Sequence, residues 1–147
     1  MTMTNTLSEA TAALKTLYPF IGAEQRQILG DLAKRGEERE FFRNKLCELA
    51  ELVSTMPKTY EQDGKGEQAV IYLHYFTNSC DWYITERDAE TQEQPGQHQA
   101  FGLADLGCGP ELGYISIVEL LANGAELDLY FKPRTLENLK SNKKISV

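Results

Sequence analysis

Apolar residues recur at helical spacing through the first part of the chain. Thr6 and Glu9 have the spacing of a capping box, and apolar residues then follow at intervals of three and four up to Tyr18. The same spacing predicts a second helix over 23–35 and a third, with the clearest apolar stripe, over 37–56. We therefore expect three amphipathic helices at the start of the chain.

The hydrophobic pattern changes after Pro57. The segment TYEQDGKGEQ is typical of a turn, and the AVIYLHYF that follows is rich in β-branched and aromatic residues, which favours a strand. Alternation and turn residues predict five strands, near 69–76, 81–87, 98–106, 112–115 and 125–131. Two short helices are expected over 117–122 and 135–139, and a frayed basic tail over 141–147.

Helices followed by strands is the order of an α+β fold. We predict a single domain over 1–147, with a helical part over 1–57 and a sheet part with short helices over 58–140. The three-helix segment is expected to pack on one face of a mainly antiparallel five-stranded sheet, because each part has an apolar face that needs cover.

Composition is that of a soluble globular protein. The 147 residues are 41% hydrophobic, yet no stretch approaches the roughly 20 apolar residues of a membrane span, and the N-terminus lacks the pattern of a secretory signal. Three widely spaced cysteines fit free thiols in a reducing compartment. We expect a cytoplasmic protein that has no disulfides and does not bind a membrane.

The net charge of −7 conceals a segregation along the chain. Residues 59–130 carry thirteen acids against two bases, Lys65 and Arg87, a net charge of −11, whereas residues 1–58 are balanced and residues 131–147 are basic. Such an acidic field repels phosphate backbones and disfavours direct binding of nucleic acid. It attracts a basic protein, including one whose basic groove holds nucleic acid. The alternative is that acidity only keeps a small protein soluble.

Alternation along the predicted strands puts tyrosines and carboxylates on one face. If the first, second and fifth strands are neighbours, the face turned away from the helices carries both residue types, with His74 nearby. Tyrosine is favoured at interfaces because it combines apolar area with a polar tip. We predict that a partner binds this face through Tyr72, Asp81, Tyr83, Glu126, Asp128 and Tyr130. An ordinary half-solvated sheet would show the same pattern, so that alternative stays open.

Acidic residues also concentrate in two predicted loops. Because like-signed surface charges add to a field that reaches beyond contact distance, we expect these loops to steer association with a basic partner. The predicted steering residues are Glu61, Asp63, Glu67, Asp88, Glu90 and Glu93.

Metal and catalytic chemistry have little support in the sequence. The histidines and cysteines of the sheet region are His74, Cys80, His98 and Cys108. Five, seventeen and nine residues separate them, whereas structural zinc sites use closely spaced ligand pairs. We predict no catalytic residue, metal or cofactor. The alternative is a small hydrolase or metal-dependent enzyme that uses His74, His98 and a carboxylate such as Glu86 or Asp105.

A further alternative is a structural accessory protein that forms a homodimer. The helical segment carries Phe41 and Phe42 beside the apolar stripe of the third helix. Under this alternative, the aromatic pair and the apolar stripe mediate self-association.

One order of motifs in the sheet region resembles a known family. The residues that carry it are Phe76-Thr77, Asp81-Trp82-Tyr83-Ile84-Thr85-Glu86, Phe101-Gly102-Leu103, Glu111-Leu112-Gly113-Tyr114-Ile115-Ser116, Glu119-Leu120 and Leu129-Tyr130-Phe131-Lys132-Pro133. This order resembles small uncharacterised domains of conjugative plasmids and integrative elements, found near antirestriction genes. The resemblance implies a mobile-element accessory protein that disarms host restriction or CRISPR machinery.

Charge and resemblance together predict a non-enzymatic acidic inhibitor. We expect it to bind a basic nucleic-acid-handling host protein, such as a nuclease or a CRISPR effector subunit, and to block it by bulk and charge.

Overall fold

Three helices come first along the chain, in a computed structural model that describes residues 4–145. They are α1 (Leu7–Leu17), α2 (Ala23–Arg35) and α3 (Arg39–Thr55). They form the first of two compact units, Met1–Thr55 and Met56–Val147. The three predicted helices are confirmed, because their pattern and their terminating residues are local signals.

Polar side chains satisfy backbone groups at the ends of these helices. The capping box is present, with the Thr6 hydroxyl accepting from the Glu9 N–H at 3.1 Å and the Glu9 carboxylate accepting from the Thr6 N–H at 2.8 Å. The hydrogen bond from the Thr6 N–H, which the Glu9 carboxylate accepts, lowers the pKa of Glu9. Arg43 of α3 donates to the Ala33 carbonyl near the end of α2 at 2.7 Å, where orphan carbonyls need a donor.

The second unit is built from strands and two further helices. The strands are β1 (Val70–Ile71), β2 (Leu73–Phe76), β3 (Asp81–Glu86), β4 (Ala100–Asp105), β5 (Pro110–Ile115), β6 (Glu126–Leu127) and β7 (Arg134–Thr135). The helices are α4 (Ile117–Ala122) and α5 (Leu136–Ile145). Three helices followed by a five-stranded antiparallel sheet confirm the α+β class.

The large sheet has the strand order β5-β4-β3-β2-β6, and β1 pairs separately with β7. Every neighbouring pair of strands is antiparallel. β2 therefore lies between β3 and β6, so the predicted first, second and fifth strands are neighbours. Within residues 4–145 no helix has the length and apolar content needed to cross a bilayer.

The first predicted strand is broken at Tyr72, which changes the parity of its side chains. Ile71 of β1 packs with Tyr83 and Leu103, whereas Leu73 of β2 lies opposite Ile84 on the other face. Uninterrupted alternation through the predicted strand over 69–76 would place Ile71 and Leu73 on one face, and the break places them on opposite faces. A continuous alternation cannot reveal such a break, because it depends on contacts from outside the strand.

The C-terminal segment also differs from the prediction. The expected helix over 135–139 continues as α5 to Ile145, so most of the predicted frayed tail over 141–147 is helical; residues 146 and 147 lie outside the described part. Leu136 and Leu139 of α5 are buried with Tyr83 in one apolar cluster. This packing stabilises the segment as a helix, and the helix covers the centre of one face of the sheet.

Candidate functional site

The strand register gathers carboxylates at one end of one face of the large sheet. Glu126 lies opposite Phe76, Phe76 opposite Asp81, and Asp81 opposite Asp105. Directly opposed residues share a face, and neighbouring strands lie about 4.8 Å apart. Asp81, Asp105 and Glu126, which we call the acidic row, therefore cross four strands in one line. Asp128 follows Glu126 on the same face.

His74 joins the acidic row to Asp128. Its Nε2 lies 2.7 Å from Asp81 Oδ1, and its Nδ1 lies 3.0 Å from Asp128 Oδ2. The imidazolium ion donates through both nitrogens, whereas the neutral ring donates through only one. The ring also stacks on Tyr83, with centroids 4.7 Å apart and planes 7° from parallel. Both ring nitrogens are thus engaged by carboxylates of the protein itself.

The acidic row places like charges side by side on neighbouring strands. Asp81 and Asp105 are directly opposed on neighbouring strands, and like charges in that position repel one another. The Asp81 carboxylate is partly exposed, so its field reaches solvent. Like charges gathered on one sheet face attract cationic groups.

The structure brings together the predicted acids but not all the predicted tyrosines. Tyr130 is 62% exposed, and its backbone N–H donates to Asp128 Oδ1 at 3.0 Å. Tyr72 is half-buried at the strand break. The predicted exposure of Tyr83 is wrong, because α5 covers its ring and leaves only 6% exposed. The leucines of the C-terminal segment are the sequence signal that would have revealed this cover.

The six predicted steering acids fall into different surroundings. Glu67 is paired with Lys140, at 3.1 Å between Nζ and Oε1. Three further steering acids are exposed, namely Glu61, Asp63 and Glu93. Asp88 and Glu90 are partly buried instead.

Asp88 and Glu90 organise their own loop. The Asp88 carboxylate accepts from the N–H groups of His98 and Gln99 at 3.2 and 3.0 Å. Glu90 pairs with Arg87 at 3.1 Å and accepts from the amide of Gln97, which is fully buried. The second of the two predicted steering loops is therefore folded around a buried glutamine, and two of its carboxylates are bonded within the loop.

The residues of the enzyme alternative have different surroundings, and Asp105 lies in the acidic row opposite Asp81. Glu86 is buried and accepts from the backbone N–H of Tyr60, and His98 is exposed in the loop that Asp88 organises. His74 is bonded to Asp81 and Asp128 instead. Among residues 4–145 no three histidine, cysteine or acidic side chains are grouped so as to hold a metal ion.

Residues 45–140 match the sequence profile of a family described as a protein of unknown function (DUF2958). The chain belongs to this family. The DUF2958 segment includes the whole acidic row, and the predicted likeness to a family of uncharacterised domains is confirmed. No curated protein and no solved structure matches the chain.

His74 should stabilise the charged end of the DUF2958 sheet. His74→Phe keeps an aromatic ring on Tyr83 but removes both hydrogen bonds, so Asp81 and Asp128 lose their shared donor. We expect the free energy of unfolding in urea to fall by about 1 kcal/mol, a modest loss because both carboxylates are partly solvated. His98→Phe, at an exposed ring, is the matched control. Equal losses in the two variants would contradict the bridging role.

Proposed function

We propose that the protein is a non-enzymatic binding protein that uses its acidic row to hold a basic, nucleic-acid-handling protein. The observation that carries this proposal is the alignment of Asp81, Asp105 and Glu126 across four strands of one sheet face. Asp128 extends the charge, and the exposed ring of Tyr130 beside it offers apolar contact area.

The distribution of charge supports a basic partner. No lysine or arginine occurs between Asp88 and Phe131, and this segment supplies most of the large sheet. Its acidic residues therefore have no basic residue in the same segment to balance their charge. An uncompensated field raises the rate of encounter with a cationic surface and repels nucleic acid. A protein whose basic channel normally holds nucleic acid is the class of partner that such a surface fits.

The bonding of His74 favours binding over catalysis by this histidine. A general base needs a ring nitrogen within hydrogen-bond reach of a substrate proton. Here Nε2 faces Asp81 and Nδ1 faces Asp128, at 2.7 and 3.0 Å. The histidine is therefore placed to hold two carboxylates in position on the binding face.

The biological setting is a further part of the proposal. We propose that the chain is an accessory protein of a mobile genetic element and acts in the host cytoplasm. Its partner would be a restriction nuclease or a CRISPR effector subunit, blocked where nucleic acid enters. The support is the motif resemblance together with an acidic face on a domain of unknown function.

The binding test reverses charges that do not touch His74. We expect Asp105→Lys combined with Glu126→Lys to weaken capture of basic proteins from host lysate. Affinity for a captured protein should fall at least about tenfold and depend less steeply on salt between about 50 and 500 mM. Asp31→Lys combined with Glu51→Lys changes the net charge equally, at exposed positions of α2 and α3.

Two results would overturn the binding proposal. Equal losses in the two double variants would mean that only total charge matters, and unchanged affinity would remove the acidic row as a binding site. For the setting, wild-type protein should raise plasmid transformation in a strain with an active defence system and not in a strain without one. The acidic-row variant should lose that effect.

A further inference from the structure

The edge of the large sheet at β5 is open. The opposite edge is β6, which has two residues, whereas β5 has six and pairs only with β4 among residues 4–145. Leu112 and Tyr114 of β5 are 52% and 58% exposed. Proteins usually protect such an edge with lysine, an internal proline or a very short strand. β5 contains no lysine, its one proline, Pro110, is at its first position, and its one charged residue, Glu111, is acidic. The charge on this edge therefore opposes an acidic strand but not a basic one.

Three aromatic rings form a corner along this edge. Tyr114 lies opposite Phe101, with ring planes at 84° and centroids 5.6 Å apart. The Tyr60 ring stands at 77° to that of Tyr114, and the two hydroxyls are 2.6 Å apart. We call Tyr60, Phe101 and Tyr114 the aromatic corner. By the strand register, Phe101 and Tyr114 lie on the same face of the sheet as Leu103 and Leu112.

Tyr60 is held in this corner by a buried carboxylate. Its φ of 81° is in the left-handed region, which is uncommon for a tyrosine. The backbone N–H of Tyr60 donates to Glu86, which is buried, and this bond fixes the strained residue in place. Local strain supported by a buried partner is frequent where a side chain must be presented to a ligand.

The aromatic corner is suited to a cation. The hydrogen bond with Tyr60 raises the pKa of Tyr114, and the nearby charges of Asp63 and Glu86 act in the same direction. The Tyr114 phenol therefore stays neutral at physiological pH. Electron-rich ring faces flanked by carboxylates attract lysine ammonium and arginine guanidinium groups.

We propose that β5 accepts an extended basic segment of the partner protein as an added strand, with a lysine or arginine side chain seated on the aromatic corner. Main-chain hydrogen bonds along β5 would supply affinity, and alternate side chains would reach the face that carries Tyr114. The inference rests on the proposed function in one respect, the basic character of the partner. A second copy of this chain is the less favourable occupant, because its β5 carries the same acidic residue, Glu111, and no basic residue to complement it.

The test uses a synthetic peptide of about ten residues that alternates lysine and valine. We expect it to slow hydrogen exchange of backbone amides in β5. Leu112→Lys should weaken its binding at least about tenfold, because charge on an edge strand opposes strand addition. Val118→Lys, on an exposed apolar residue of α4, is the matched control and should bind as wild type does. If Leu112→Lys unfolds, Gly113→Lys replaces it, since a side chain there meets open space.

Three results would overturn the strand-addition proposal. One is binding of equal strength by a peptide whose alternate backbone nitrogens are methylated, which keeps the charge but removes ladder donors. Another is an equal effect of Leu112→Lys and Val118→Lys. The third is sedimentation of the wild type as a dimer that Leu112→Lys dissociates, which would assign the edge to a second copy. Loss of a lysate partner in the acidic-row variant but not in Leu112→Lys would reject this inference and leave the proposed function standing.

Discussion

Gly102→Ala is expected to lower the free energy of unfolding of the second unit by about 3 kcal/mol. A Cβ at this position would lie 2.0 Å from the carbonyl oxygen of Tyr83 and 3.0 Å from the Cα of Ile84. Both are backbone atoms of β3, so no side-chain rotation can make room. β3 and β4 would have to separate beside the bulge between Ile84 and Glu86. The separation would also disturb the register that aligns the acidic row.

A matched control for this prediction lies on the next strand. Gly113 of β5 is directly opposite Gly102, but a Cβ added there has no atom within 4 Å. Gly113→Ala should therefore leave stability within about 0.5 kcal/mol of the wild type, or raise it slightly by restricting the unfolded chain. Trp82, the single tryptophan, lies in β3 and reports urea unfolding of this unit by fluorescence. Equal losses in the two variants would show that close backbone approach is not the reason for Gly102.

Elements whose signals are local could be predicted from the sequence. α1 follows from Thr6, Glu9 and a stripe within the same turns, and α4 follows from Ser116, whose hydroxyl accepts from the Glu119 N–H at 3.2 Å. The β2–β3 hairpin follows from a short polar connection between two β-rich runs. Each of these signals lies within a few residues of the structure that it sets, so tertiary contacts do not override it.

The candidate site could be predicted only in part, because it depends on register and on cover from distant residues. Asp81 lies in β3 and Glu126 in β6, the two strands that flank β2, and Asp128 follows β6. The alternation placed these three acids on a common face. Asp105 joins the acidic row through the register between β3 and β4, which alternation within one strand does not specify. Tyr83 has the same alternation as Asp81 yet lies under α5, whose leucines occur more than fifty residues later.

The break at Tyr72 has a non-local cause of the same kind, and it leads to a second large stability effect. Gln62 is buried, and its amide nitrogen donates to the carbonyls of Val70 and Thr85, at 2.8 Å each. Its amide oxygen accepts from the Val70 N–H, also at 2.8 Å. The carboxamide thus acts as an inserted peptide group that bridges β1 and β3. Because this bridge supplies hydrogen bonds to the N–H and carbonyl of Val70, β1 can diverge from the line of β2.

Gln62→Leu should lower the free energy of unfolding by about 3 kcal/mol, because leucine fills a similar volume but leaves the backbone partners at Val70 and Thr85 without their bonds. Hydrogen exchange of the Val70 amide should quicken, which distinguishes loss of the bridge from a general loss of packing. Gln94→Leu, in the exposed part of the loop over 88–97, is the control and should change stability by less than about 0.5 kcal/mol. A Gln62→Leu protein with wild-type stability and an unchanged Val70 amide would mean that the strand break is maintained without Gln62. Because Ile71 of β1 packs against Tyr83, and Tyr83 supports the ring of His74, the same variant should also weaken binding through the acidic row.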